Sequence, residues 1–161
     1  MKTVDLRPIN RRPQVHTNDR VLDALLAEQV DVLMACGGKG RCATCHVYVE
    51  KGGEGLSPVE DREARTLQRL SNRGQNSRLA CQARVLREGV EIRLPAGMFV
   101  MEAQDIEELI GSRAAQDILH PITGKVIIPE GKIITRTFIR EVVDLEKDLK
   151  SIQTQDAYEQ R

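Results

Sequence analysis

The chain has 161 residues, a length that suits one domain of ordinary size with room for an appendage. Its formal net charge is zero, 40% of its residues are hydrophobic and only 2% are aromatic. Without a long basic run or aromatic side chains on which bases stack, the composition disfavours nucleic acid as a partner. No stretch approaches the roughly 18 apolar residues that span a bilayer, so we expect no membrane span and a cytoplasmic location.

The two parts of the chain differ in charge. Residues 1–100 carry 16 basic and 12 acidic side chains, whereas residues 101–161 carry 8 and 12. The parts could attract each other, although a surface of mixed sign explains the same numbers.

The chain begins with signals for a hairpin and a helix. "KTVDLRPI" and "RPQVHT" predict two strands joined at Asn10 and Arg11. A helix follows, with Thr17 or Asn18 as its N-cap. Its apolar stripe would consist of Val21, Leu22, Leu25, Leu26 and Gln29.

A second helix is predicted after the strand "HVYVE". In "SPVEDREARTLQRL", Ser57 suits the N-cap, Pro58 the first helical position and Glu60 a capping box. "RLACQARV" and "VEIRLP" predict two further strands, and Pro95 and Gly97 end the unit. This order predicts an α+β domain over residues 1–97, with a helix laid across a small mixed sheet.

Residues 98–161 form a predicted C-terminal extension. "EAQDIEELIGSRAAQ" indicates a helix, "PITGKVIIPEGKIIT" a hairpin turning at residues 129–131, and a last amphipathic helix begins near Thr135. Its apolar seam has heptad spacing, which predicts packing on the chain itself or, alternatively, a homodimer or partner contact. The seam residues are Phe138, Val142, Leu145, Leu149 and Ile152.

Four cysteines follow the pattern C-x5-C-x2-C-x35-C, formed by Cys36, Cys42, Cys45 and Cys81. In a reducing compartment, cysteines at such spacing are more typical of metal ligands than of disulfides. A two-iron, two-sulfide cluster needs four thiolates and hydrogen bonds to its sulfurs. Glycines at positions 37, 38 and 40 allow the backbone to approach closely enough to donate them.

"CGGKGRCATCHVYV" with the later "RLACQ" resembles the [2Fe–2S] ferredoxins, and the first gap of five residues is similar to the adrenodoxin-like type. The same stretch is also similar to ferredoxin domains fused to bacterial adenylate cyclases and to those of proteins that reactivate corrinoid enzymes. The resemblance covers residues 1–97. It implies a β-grasp ferredoxin fold, a [2Fe–2S] cofactor, and Cys36, Cys42, Cys45 and Cys81 as iron ligands, with Cys81 on a strand.

Other uses of these cysteines fit the pattern less well. A zinc ribbon needs two C-x2-C pairs, a thioredoxin-like pair would open a helix, and a Rieske centre would need two histidines. The resemblance implies a structural hydrogen bond for His46, against a proton-coupled role. Lys39 and Arg41 would raise the potential of the cluster or receive an acidic partner.

The resemblance implies one-electron transfer between a reductase and an acceptor, and we expect a protein that is not itself an enzyme. Adrenodoxin-like members present an acidic helix to these redox partners, whereas this chain has Arg62, Arg65 and Arg69 in the corresponding helix. The alternative function is a redox-responsive regulatory or assembly module, in which the state of the cluster alters the contacts of the C-terminal extension.

Overall fold

The structure is a computed structural model and describes residues 1–100 and 103–159. Its elements are β1 (Lys2–Arg7), β2 (Gln14–Val15), α1 (Val21–Ala27), β3 (His46–Lys51), α2 (Asp61–Arg69), β4 (Ser77–Leu79), β5 (Val90–Arg93), β6 (Met98–Phe99), α3 (Ala103–Glu107), β7 (Ile118–Leu119), β8 (Val126–Ile128) and α4 (Thr137–Glu159). Helices and a mixed sheet confirm the predicted α+β class.

The first sheet has five strands in the order β2-β1-β5-β3-β4. In the parallel pair of β1 and β5, Val4 lies opposite Val90 and Leu6 opposite Ile92, and all four side chains are fully buried. Because alternate residues of a strand point to the same face, this spacing turns one face of the sheet towards the core. Residues of α1 and α2 complete that core. The pairing of β1 with β2 confirms the predicted hairpin.

Helix α1 begins later than the sequence predicts. Its N-cap is Arg20, so the prediction of Thr17 or Asn18 is wrong. The cause is the turn before the helix, where Asn18 has a positive φ of 78°. Two residues of the predicted stripe do not face the core: Leu26 is 41% exposed, and Gln29 lies beyond the end of the helix.

Helix α2 also begins later, after Glu60, so the predicted start at Ser57 and Pro58 is wrong. Ser57 instead pairs with Arg84: each backbone N–H donates to the other residue, at 2.9 Å and 3.0 Å. This pairing keeps the backbone at Ser57 alongside the opposite segment, and the helix can start only once the chain has left it.

The C-terminal extension contains a second sheet, β6-β7-β8. A turn does form at residues 129–131, where the Lys132 backbone N–H donates to the Pro129 carbonyl at 3.1 Å. The predicted hairpin around it is wrong, because β8 pairs with β7 through the turn from His120 to Lys125. The helix predicted over residues 102–116 is shorter in the structure, where α3 ends at Glu107. Glu102 lies outside the described residues. Helix α4 starts close to its predicted beginning.

The apolar seam of α4 packs within the chain. Val142, Leu145 and Leu149 are buried, and Phe138 and Ile152 pack partly buried against the same clusters. This confirms packing on the chain itself. A homodimer through the seam has no support, since these side chains are already covered.

Candidate metal centre

The loop between α1 and β3 brings three cysteines together with a fourth from the turn after β4. Cys36, Cys42, Cys45 and Cys81 are each between 1% and 4% exposed, and none of them forms a disulfide. Cys81 does not lie on a strand as predicted, because β4 ends at Leu79 and the chain turns through Ala80 and Cys81. That turn brings the thiol back towards the loop.

The four sulfurs form two pairs. The Sγ atoms of Cys36 and Cys42 lie 3.3 Å apart, and so do those of Cys45 and Cys81. Two sulfurs on one tetrahedral metal with bonds of about 2.3 Å would be about 3.8 Å apart, so each pair is close to the spacing of two ligands on one metal. Among the described residues, no three Cys, His, Asp or Glu side chains converge to hold a single metal ion.

Hydrogen-bond donors surround the sulfurs. The backbone N–H of Arg41 donates to Sγ of Cys36 at 3.4 Å, and the side-chain amide of Gln82 donates to Sγ of Cys81 at 3.5 Å. Such donors stabilise negative charge on sulfur. The arrangement therefore favours thiolates at these positions.

The pKa values differ within each pair. The hydrogen bond from Cys42 and nearby backbone N–H groups lower the pKa of Cys36, while that bond and burial raise the pKa of Cys42. The pKa of Cys81 is likewise lowered, first by the hydrogen bond from Cys45, whose own pKa is raised. Within each pair, the hydrogen bond between the sulfurs therefore stabilises a thiolate on the accepting cysteine.

At Gly40 the cysteine loop approaches Gln82 so closely that there is no room for a side chain. Gly40 has a φ of +73°, and a Cβ there would lie 2.9 Å from the side chain of Gln82. The hydroxyl of Thr66 in α2 donates to the Gly40 carbonyl at 2.5 Å, which attaches the loop to that helix. The sequence predicts that the backbone approaches its surroundings closely at Gly40, and the structure agrees. The role of Thr66 in holding the loop was not predicted, because nothing in the neighbouring sequence distinguishes this threonine.

A buried ion pair holds α2 against β4. The Glu63 carboxylate accepts hydrogen bonds from Arg78 Nε at 2.8 Å, Arg78 Nη2 at 3.1 Å and the Leu79 backbone N–H at 2.8 Å. Leu79 lies two residues before Cys81, so this pair supports the placement of the fourth thiol. Sequence reasoning missed it, although an acid four residues before Leu67, on the inner face of the helix, was an available signal.

His46 has a structural hydrogen bond, as the resemblance implied. Its Nε2 lies 2.7 Å from Oγ of Ser77, and burial lowers the pKa of the imidazole to about 4.

Lys39 and Arg41 lie half-buried in the loop. Arg41 contributes its backbone N–H to the sulfur site, a role that its side-chain charge did not indicate.

Four thiols in two pairs are what a two-iron cluster requires, and together with the mixed sheet they define an iron–sulfur protein of the ferredoxin class. Comparison with known families agrees: residues 4–86 match the model of the 2Fe-2S iron-sulfur cluster binding domain. The chain belongs to this family, its cofactor is a [2Fe–2S] cluster, and it is a one-electron carrier. Proteins of this kind are generally carriers and not enzymes.

Relatives support the assignment. The chain is 33% identical over 96 residues to 2Fe-2S ferredoxin-5 of Aquifex aeolicus, covering 59% of this chain and 100% of that protein. It is 31% identical over 118 residues to a component of the Na(+)-translocating NADH-quinone reductase of Klebsiella pneumoniae, covering 72% of this chain. The chain spans only 26% of the length of that component.

Among solved structures, the ISC-like [2Fe–2S] ferredoxin of Pseudomonas putida aligns with a TM-score of 0.55 and 28% identity, covering 59% of this chain and 93% of that one. This likeness confirms the β-grasp fold.

In the part of the chain that the structure describes, no helix has the length and apolar character needed to cross a membrane.

Proposed function

We propose that Cys36 and Cys42 hold one iron of the [2Fe–2S] cluster and that Cys45 and Cys81 hold the other. The observation that carries this assignment is the pairing of the sulfurs, at 3.3 Å within each pair. The surroundings fit the group, since the thiols are buried and backbone and amide N–H donors are directed at them.

When bound, the cluster supplies one-electron transfer between its oxidised and reduced states. The chain's own residues set the conditions for it. The backbone N–H of Arg41 and the amide of Gln82 donate to the ligand sulfurs, which stabilises their negative charge. Thr66 keeps the loop on α2, so these donors remain in place when the charge of the site changes.

We infer that donor and acceptor dock at the edge of the loop near Gly37 and on the adjacent part of α2. Gly37 is exposed, and Arg65 and Arg69 lie exposed on α2. The hydrogen bond from the Arg62 guanidinium to the Lys39 carbonyl brings the helix and the loop edge together. These arginines favour redox partners with an acidic surface, since complementary charge speeds the encounter.

Several features of the assignment belong to the same proposal. Residues 1–97 would be the ferredoxin domain and residues 98–161 a separate extension, supported by their separate sheets. The chain would transfer electrons without converting a substrate itself, as its family suggests. A cytoplasmic location fits four cysteines that serve as cluster ligands and form no disulfide.

The alternative, a redox-responsive module, has one supporting observation. Leu145 and Leu149 of the extension pack in the same apolar cluster as Cys36 and Cys42. A change in the redox state of the cluster would therefore alter the packing of α4. Its test is whether hydrogen exchange in α4 differs between the oxidised and reduced protein.

Replacing the fourth thiol tests the ligand assignment. Cys81→Ser is expected to lose or destabilise the cluster, because one iron would keep a single cysteine thiolate. Iron and sulfide content, visible absorption and electron paramagnetic resonance of the reduced protein measure this, with exposed Gln75→Ala as a control. Normal iron and sulfide content in Cys81→Ser would contradict the assignment.

A further inference from the structure

The C-terminal extension lies against one half of the metal centre. Leu145 and Leu149 of α4 share a buried apolar cluster with Ala35, Cys36 and Cys42. The two leucines are only 3% and 5% exposed. Cys45 and Cys81 belong to a different cluster, the core of the first sheet. Leu145 and Leu149 of the extension therefore contact the Cys36 and Cys42 side of the centre, while Phe99, near the start of the extension, packs against the other cluster.

The turn between β7 and β8 holds the extension in this position. The Ala43 backbone N–H, next to Cys42, donates to the Pro121 carbonyl at 2.8 Å. The Ser71 backbone N–H donates to the Thr123 carbonyl at the same distance. Gly124, in the same turn, has a φ of +70°, and a Cβ on it would lie 2.6 Å from Oδ1 of Asn72. The turn therefore approaches the ferredoxin domain as closely as a glycine allows.

We propose that these two segments, the turn at residues 120–125 and the α4 leucines, form an apolar cover over the Cys36 and Cys42 half of the cluster. The inference rests on the proposed ligand assignment. The cover excludes water from these two sulfurs, and reduction adds one negative charge to the site. Because apolar surroundings disfavour added charge, the cover lowers the reduction potential. It also blocks chelators from the face that α4 and the turn occupy, whereas the loop edge at Gly37 remains exposed for redox partners.

Two leucine truncations open the cover without adding charge. The variant combines Leu145→Ala with Leu149→Ala, and the control is Val143→Ala, on the same helix at a position 38% exposed. Rates of cluster bleaching by a chelator, under anaerobic conditions, report access to the iron. Potentiometric titration of the same samples reports the solvation of the cluster.

The double variant is expected to bleach at least tenfold faster than wild type, which corresponds to about 1.4 kcal/mol in the opening of the cover. Its midpoint potential is expected to rise, because water would stabilise the reduced form. Val143→Ala should match wild type in both measurements. A double variant with wild-type bleaching and potential would overturn the cover.

A second variant changes the turn at residues 120–125 and not α4. Gly124→Ala forces the turn away from Asn72 and leaves α4 and the cysteine loop unaltered in sequence. It is expected to shift bleaching and potential in the same directions as the double variant, and it decides the matter if the double variant does not fold. Unchanged values for Gly124→Ala would then overturn the cover. A wild-type chain that binds no [2Fe–2S] cluster would overturn the proposed function itself, whereas loaded variants that behave as wild type overturn only the cover.

Discussion

Replacing Glu63 with glutamine would remove the charge from the buried ion pair that positions β4. The carboxylate is 1% exposed and receives three hydrogen bonds, two of them from Arg78, whose side chain is 11% exposed. Breaking one side of a buried pair costs about 3–5 kcal/mol, because the remaining charge is left without compensation. Glutamine keeps one acceptor oxygen, so we expect the lower end, about 3 kcal/mol of the free energy of unfolding.

The assay is denaturant unfolding under anaerobic conditions, followed by circular dichroism and by visible absorption of the cluster. Asp61→Asn is the matched control, since Asp61 is an exposed acid in the first turn of the same helix. Asp61→Asn is expected to lower the free energy of unfolding by only about 0.3–1 kcal/mol. If Glu63→Gln and Asp61→Asn lost the same stability, the pair with Arg78 would contribute nothing beyond an ordinary surface charge, and the reasoning would be refuted.

Three further predictions follow from the site and its surroundings. Thr66→Val removes the hydrogen bond to the Gly40 carbonyl, and we expect the free energy of unfolding to fall by about 1–3 kcal/mol in denaturant titrations. Reversing charge with Arg65→Glu and Arg69→Glu should slow association with an acidic redox partner by about tenfold at low salt in stopped-flow measurements. Burial lowers the pKa of His120, so the unfolded chain binds the proton more tightly. Stability should therefore decline as the pH falls below about 6.5, and His120→Asn should reduce this dependence in thermal unfolding.

Each of these has an outcome that contradicts it. Thr66→Val with wild-type stability would mean that the Gly40 carbonyl finds another donor. Association rates of the arginine variants that match wild type at every salt concentration would place the docking surface elsewhere. An unchanged pH dependence in His120→Asn would show that other groups cause the loss of stability in acid.

The local patterns of the sequence were informative where neighbouring residues decide the structure. The alternation in "KTVDLR" predicts β1, and the spacing of Val142, Leu145 and Leu149 predicts the buried seam of α4. Predictions were wrong where distant segments compete. Ser57 is a good N-cap locally, yet its pairing with Arg84, which is distant in the chain, prevents the helix from starting there. The partner of β8 was also wrong, because pairing depends on which strand the fold brings alongside.

The sequence by itself determined the chemistry of this protein. Thiol spacing and glycine content are local properties, and they indicate a [2Fe–2S] site because backbone donors must reach the sulfurs. Only the tertiary structure decided how the thiols pair, that Glu63 and Arg78 support Cys81, and that α4 lies over Cys36. These contacts join residues far apart in the chain, and their partners are selected by the packing of the whole core, which no local pattern encodes.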